Sequence, residues 1–343
     1  MFGHAESPRI GRMIQLTNNQ LRFTFPRIQA ELDDRHSGIT KWIPGYVRNS
    51  KTAERILTQL AKSNVPASAT VDIIRTLRLP NDGNIYHHPP GFGRFPLSSV
   101  DEHRVPASWQ RRGGVMLPLG DTESLFFDFQ GEYPVAIKVT AGGRNIVSGR
   151  PWTPGLEWAP QDYLVQTVSA GFVAGFGLCR QFEPLRDVTS LEVLGGFLIE
   201  VFPVKRHVAF DGRLKSALPT NLYKRITSPK PSTRTPELPT YFTNTKHEPK
   251  ARVSQGGLYR QAITPDPRHI NDYDFDEAVR CFVQPVDLDA WQTYTNMNPT
   301  KPVAFTDFRG DYVIRWVEAS DSYRASHYPA QTETCDVSQW DED

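Results

Sequence analysis

Hydrophobic and polar residues alternate with a period of two through much of this chain. Leu21, Phe23 and Phe25 fall on one side of an extended strand, with Arg22 and Thr24 on the other. That is the mark of a half-buried strand. A second short apolar run, 13–16, precedes it across Thr17-Asn18-Asn19-Gln20, so 13–25 reads as a hairpin closed by Pro26. Residues 28–49 show no period and are expected to be irregular. Helical spacing is clearest at 50–61, where Ala53, Ile56, Leu57, Leu60 and Ala61 share a face behind a Ser50 cap. A helix of that kind more often covers a core than meets a partner.

From there the runs are short and turn signals are frequent. The stretch 73–79 is strand-like and stops at Pro80; Asn81-Asp82-Gly83-Asn84 offers a tight turn, since Gly83 takes positive φ cheaply. After Ile85 and Tyr86 comes a stiff loop, His87-His88-Pro89-Pro90-Gly91-Phe92-Gly93-Arg94-Phe95-Pro96. Pro106 at a first helical position and Gly113 past the end predict one helical turn. Strands are expected at 115–119, where Pro118 argues for an edge or a bulge, and at 124–129, 133–139, 145–148, 162–166, 178–182 and 196–203. They resume at 278–285, and Asp287 caps a helix running through Tyr294. A last strand is expected at 312–317.

This pattern predicts a mainly β (α+β) fold: an antiparallel β-sandwich or distorted barrel with two or three short helices. The expected layout is a flexible N-terminus at 1–11, one β-rich domain at 12–330 and a disordered acidic tail at 331–343. Within the domain, 205–255 is rich in Pro, Ser, Thr and Lys, and reads as a mobile basic insertion.

Composition narrows the function. With 39 Lys plus Arg against 38 Asp plus Glu, the net charge is +1, so no field recommends nucleic acid or an anionic membrane. The most apolar segment, 168–178, is too short to span a bilayer. Cys179, Cys281 and Cys335 are far apart and odd in number, without zinc or redox spacing. The expected setting is cytoplasmic, with no membrane, nucleic acid, cofactor or metal.

Candidate chemistry gathers near the 86–96 loop. His87 and His88 are the candidate general bases, because imidazole titrates in the useful range. As neighbours on an extended chain they point to opposite sides, so a shared metal would need distant help from His103, Asp101 or His269. Arg78, Tyr86, Arg94, Trp109 and Arg180 are the candidate binding residues, the arginines for an anion and the aromatics for a pocket wall. Gly91-Phe92-Gly93-Arg94 lacks the spacing of a phosphate-binding loop, and Pro96 blocks the helix such a loop needs. Neither a serine elbow nor an EF-hand pattern is present; the acidic run 271–277 reads as a solvated loop.

The runs RTLRLPNDG (75–83) and PPGFGRFPL (89–97) resemble a family of bacterial and fungal proteins of uncharacterised function. The likeness continues through VPASW (105–109), GGVMLP (113–118), YPVAIKV (133–139), QDYLV (161–165), RQF (180–182) and GGFLIEVFP (195–203), with a fainter echo in CFVQPVDLDAWQ (281–292). Members of that family carry a Trp-Leu-Asp-Gly-like segment before the RQF run and Met-Pro-Leu-Gly after it. Here those places read AGFVAGFG (170–177) and EPLRDVTS (183–190). The resemblance implies a shared fold, and an altered site if those segments form it. It implies no reaction.

Two functions are therefore expected in order. The first is an intracellular, non-enzymatic binding protein for a small molecule or another protein. The second is an enzyme on a small organic, anionic substrate, with His87 or His88 as base and Arg78 or Arg94 orienting the anion.

Overall fold

The computed structural model describes residues 13–33, 66–131, 133–165, 168–169, 171–175, 177–184, 196–206 and 253–303. The helix expected at 50–61, nearly all of the basic insertion, the strand at 312–317 and both termini lie outside them.

Strands β1 (Ile14–Thr17) and β2 (Gln20–Thr24) form the expected hairpin, with Ile14 opposite Phe23. Asn18 and Asn19 turn it at φ 51° and 60°. Asparagine tolerates this left-handed region, which matches the strand twist. Helix α1 (Pro26–Asp33) follows at once, which corrects the irregular reading for 28–33. Proline suits a helix start because its missing N–H would be unpaired there anyway, and eight residues are too few to print a clear period.

The remaining elements run in order: β3 (Ser68–Leu77), β4 (Ile85–Tyr86), β5 (Gly91–Arg94), β6 (Ser98–Ser99), α2 (Ala107–Arg112), β7 (Val115–Pro118), β8 (Glu123–Gly131) and β9 (Val135–Ala141). Then come β10 (Arg144–Asn145), β11 (Val168–Ser169), β12 (Gly171–Gly175), β13 (Leu178–Pro184), β14 (Phe197–Pro203), β15 (Val253–Arg260), β16 (Val279–Val286) and α3 (Leu288–Thr295). The fold is mainly β and sandwich-like. One sheet runs β1-β2-β3-β8-β13-β15-β4, with β5, β11 and β12 attached to it; the other runs β10-β9-β14-β16-β7-β6. Pairing is antiparallel except where β4 joins β15 and β7 joins β16.

The two sheets face each other across one core. Phe127 and Phe182 of the first sheet meet Phe197 of the second edge-on, at 5.1 and 5.0 Å between ring centroids. Both halves of the chain build this core, since β15 joins β13 and β16 joins β14. Strands β9 and β14 are buried on both faces, because segment 144–165 covers the outer side of the second sheet.

Several local expectations change. Pro118 is not on the sheet's edge strand: β6 lies outside it, but pairs only as far as Met116. Pro118 sits just beyond that contact, so its missing N–H breaks no ladder. The strand expected at 145–148 shrinks to β10, and the described part of 162–166, residues 162–165, contributes a single bridge, Leu164 with Ile137. Pro106 occupies the cap position of α2 and Gly113 ends it at φ 66°. Asp287 caps α3 as expected, accepting from the Ala290 amide at 2.7 Å. Among the described residues no helix is long and apolar enough to cross a membrane.

Candidate functional site

The 80–96 loop folds onto the outer face of the first sheet. Gly83 turns it at φ 80°, and Asp82 accepts from the Asn84 amide at 3.0 Å and the Tyr86 hydroxyl at 2.9 Å. The loop then returns along β3 as β5. A Cβ on Gly91 would stand 2.8 Å from Ile74 Cγ2, so only glycine permits this approach.

Beneath the loop lies a small apolar cluster of Leu79, Tyr86, Phe126, Cys179 and Tyr259. His88 packs into it, edge-on to Phe126 at 4.9 Å and to Tyr259 at 5.7 Å. Its Nδ1 lies 2.9 Å from the Pro89 carbonyl. A carbonyl only accepts, so Nδ1 carries the proton. Burial pushes the imidazole below its ordinary value, and the Cys179 thiol is pushed up to about 12 by the same cause. His87 is half-buried beside it.

Arg180 reaches this turn, donating to Asn81 Oδ1 and to the Gly256 carbonyl, each at 3.3 Å. Arg78 donates to the Asp121 carbonyl at 3.3 Å. Arg94 pairs with Asp72 at 2.8 Å, and Gln20 donates to the other oxygen of that carboxylate. Tyr86, His88 and Arg180 thus share one neighbourhood. Trp109 does not. It is buried on the outer face of the second sheet among Val100, Val105, Met116, Val286 and Trp291, edge-on to Tyr294. His103 bonds Ser98 Oγ at 2.7 Å and His269 caps a short turn at 270–272. Among the described residues no three His, Cys, Asp or Glu side chains converge to hold a metal.

A charged row missed in the sequence lies on the outer face of the second sheet. Lys138, Glu200 and Arg280 are direct neighbours on β9, β14 and β16. The Lys138 ammonium is fully buried. It pairs with Asp162 at 2.5 Å and donates to the carbonyls of Thr153 and Gly155, each at 2.8 Å. Its three protons are thereby matched by three close acceptors. Glu200 accepts from Arg280 Nε and from the Trp152 indole, each at 2.6 Å. Burial pushes the Asp162 and Glu200 carboxyls upward despite these cations. The signal was available: a lone charge inside an otherwise apolar strand, as in VAIKV or FLIEVF, needs a buried partner.

This row staples segment 144–165 to the sheet, and the segment carries a turn at 158–161 closed by a bridge between Trp158 and Gln161. Asp162 Oδ1 accepts from the Glu157 amide at 2.7 Å. Gln161 Nε2 donates to the carbonyls of Tyr163 and Thr264, and its Oε1 accepts from the Asp266 amide at 2.9 Å. Asp266 in turn accepts from the buried Tyr163 and Tyr273 hydroxyls, each at 2.8 Å, and both phenols are pushed upward, mainly by burial. Trp158 projects from this framework into solvent.

Comparison with protein-family models, with curated proteins and with solved structures gave no match.

Proposed function

We propose that the chain is a non-enzymatic, cytoplasmic binding protein for a small molecule or another protein. One observation carries this reading: three of the reactive side chains near the 80–96 loop, His88, Arg94 and Arg180, are engaged in holding the fold. His88 bonds the adjacent carbonyl between two aromatic rings, Arg94 bonds Asp72, and Arg180 bonds the Asn81 turn. A general base needs reach to a substrate proton, and the His88 imidazole is instead held against Phe126, Tyr259 and the Pro89 carbonyl. The buried free thiols of Cys179 and Cys281 suit a reducing compartment.

The test is a thermal-shift screen of the full chain against a metabolite collection, with each sample followed by mass spectrometry. A compound that raises the melting temperature and stays chemically unchanged supports the reading. Turnover of any compound, lost in His88→Phe, overturns it in favour of an enzyme with its base at this loop.

A further inference from the structure

Lys138 brings an amine and Asp162 a carboxyl together in a site shielded from solvent. The two side chains are 0% and 3% exposed, and Lys138 Nζ stands 2.5 Å from Asp162 Oδ2. The carbonyls of Thr153 and Gly155, each at 2.8 Å, fix the amine from two further directions. The Glu157 amide donates to Asp162 Oδ1 at 2.7 Å. One oxygen of this carboxyl therefore faces the amine and the other faces a backbone N–H. Glu123 and Glu200 are buried carboxyls as well, but each pairs with an arginine, and a guanidinium keeps its proton and offers no lone pair.

We propose that Lys138 and Asp162 condense with each other to form an intramolecular isopeptide bond. The inference goes beyond the binding reading above and does not depend on it. The ion pair is the reactant. One ammonium proton passes from Nζ to Oδ2 across their contact, giving an amine and a carboxylic acid, the forms that a low-dielectric site favours. Burial already pushes the Asp162 carboxyl upward. Cγ is one bond beyond Oδ2, within reach of the freed lone pair. As the Nζ–Cγ bond forms, the carbonyl electrons move onto Oδ1, where the Glu157 N–H stabilises the developing charge. The Cγ–Oδ2 bond then breaks, Oδ2 takes a second proton from Nζ and leaves as water, and Oδ1 returns to a carbonyl. An ammonium and a carboxylate become one amide and one water, with no change of oxidation state.

The surroundings favour this step over a permanent ion pair. Well-oriented groups within one molecule react as though at about 10⁵–10⁸ M. Condensation removes one buried charge of each sign, and with them the desolvation cost of a buried pair. Glu200 lies directly across from Lys138 on β14. It does not compete for the amine, because Arg280 Nε and the Trp152 indole each hold it at 2.6 Å. That second pair stays matched once the charges of Lys138 and Asp162 are gone. The product is a covalent tie between β9 and the segment that covers it.

The experiment is the intact mass of the purified full chain, measured after unfolding, followed by proteolysis and fragment sequencing. The wild type is expected to be lighter than its sequence by one water. Its digest should contain a branched peptide that joins the Lys138 and Asp162 stretches, with no tryptic cut after Lys138. Lys138→Arg keeps the positive charge and removes the nucleophile, so it should have its full sequence mass and no branched peptide. A wild type that has its full mass, and keeps it through prolonged incubation of the folded protein, overturns the proposal without any variant having to fold. A lost water that maps to a linear peptide, as in a cyclic imide at an aspartate, also overturns it.

Discussion

The side chain of Gln181 stands in for a missing strand beside Leu79. Strand β8 starts at Glu123, opposite Leu77, so the backbone of β3 runs on past its partner. Gln181, on the next strand over, reaches across. Its Oε1 accepts from the Leu79 amide at 2.7 Å, and its Nε2 donates to the Leu77 carbonyl at 2.8 Å. The amide group reproduces the donor and acceptor of a peptide, and the residue is fully buried.

Replacing Gln181 with Leu keeps the volume and leaves two buried backbone groups unpaired. Each costs about 1–3 kcal/mol, so the variant should lose about 2–6 kcal/mol in urea unfolding, read from the shifted midpoint at constant slope. A loss below about 0.5 kcal/mol, the ordinary scatter of surface changes, would show that water or a rearranged strand satisfies Leu77 and Leu79.

Lys138→Met should be among the most damaging substitutions, because it strands the Asp162 carboxylate next to apolar strands. Removing one partner of a buried pair costs about 3–5 kcal/mol. Lys138→Met with Asp162→Asn removes both charges and should be more stable than Lys138→Met alone. If the two losses simply add, the 2.5 Å pair has no energetic coupling.

Histidine 88 gives the fold an acid-sensitive component. Its folded value is depressed below the usual 6.5, so the unfolded chain takes up a proton first as the pH falls. The stability it contributes is complete above about pH 6.5 and is lost progressively from there toward the folded value. The melting temperature of the wild type should therefore fall between pH 7 and pH 5 by more than that of His88→Phe. Equal slopes for the two proteins would show that His88 titrates normally.

Gly114 joins α2 to β7 at φ 93°, and a Cβ there would lie 2.1 Å from the Phe282 carbonyl oxygen. Gly114→Ala should push β7 off β16 and cost on the order of 3 kcal/mol. A crystal structure of a stable Ala variant with the Val115–Val283 register intact would contradict this.

What could be read beforehand was whatever is decided by near neighbours. The 13–25 hairpin needs only alternation and two asparagines, and the start of α3 needs only Asp287 ahead of an apolar period. The site was harder to read for a definite reason. His88 was singled out by its chemistry, but its environment comes from Phe126 and Tyr259, far along the chain. Lys138 and Glu200 stand out as lone charges in apolar strands, but the sequence does not reveal that 144–165 lies over that face and supplies their partners. The parallel pairings were equally hidden: β7 and β16 are far apart in sequence, and nothing in either run marks the direction of its neighbour.

The position of β16 between β14 and β7 bears on how the molecule is made. A ribosome releases β7 and β14 well before β16, so for that interval the second sheet has a slot where its central strand belongs. Two apolar strand edges then face each other with no backbone partner, the kind of edge that recruits strands from other chains. A nascent chain halted shortly after Pro203 should depend on holdase chaperones and aggregate without them. Synthesis through Val286 should relieve that dependence, because only then is the slot filled from within.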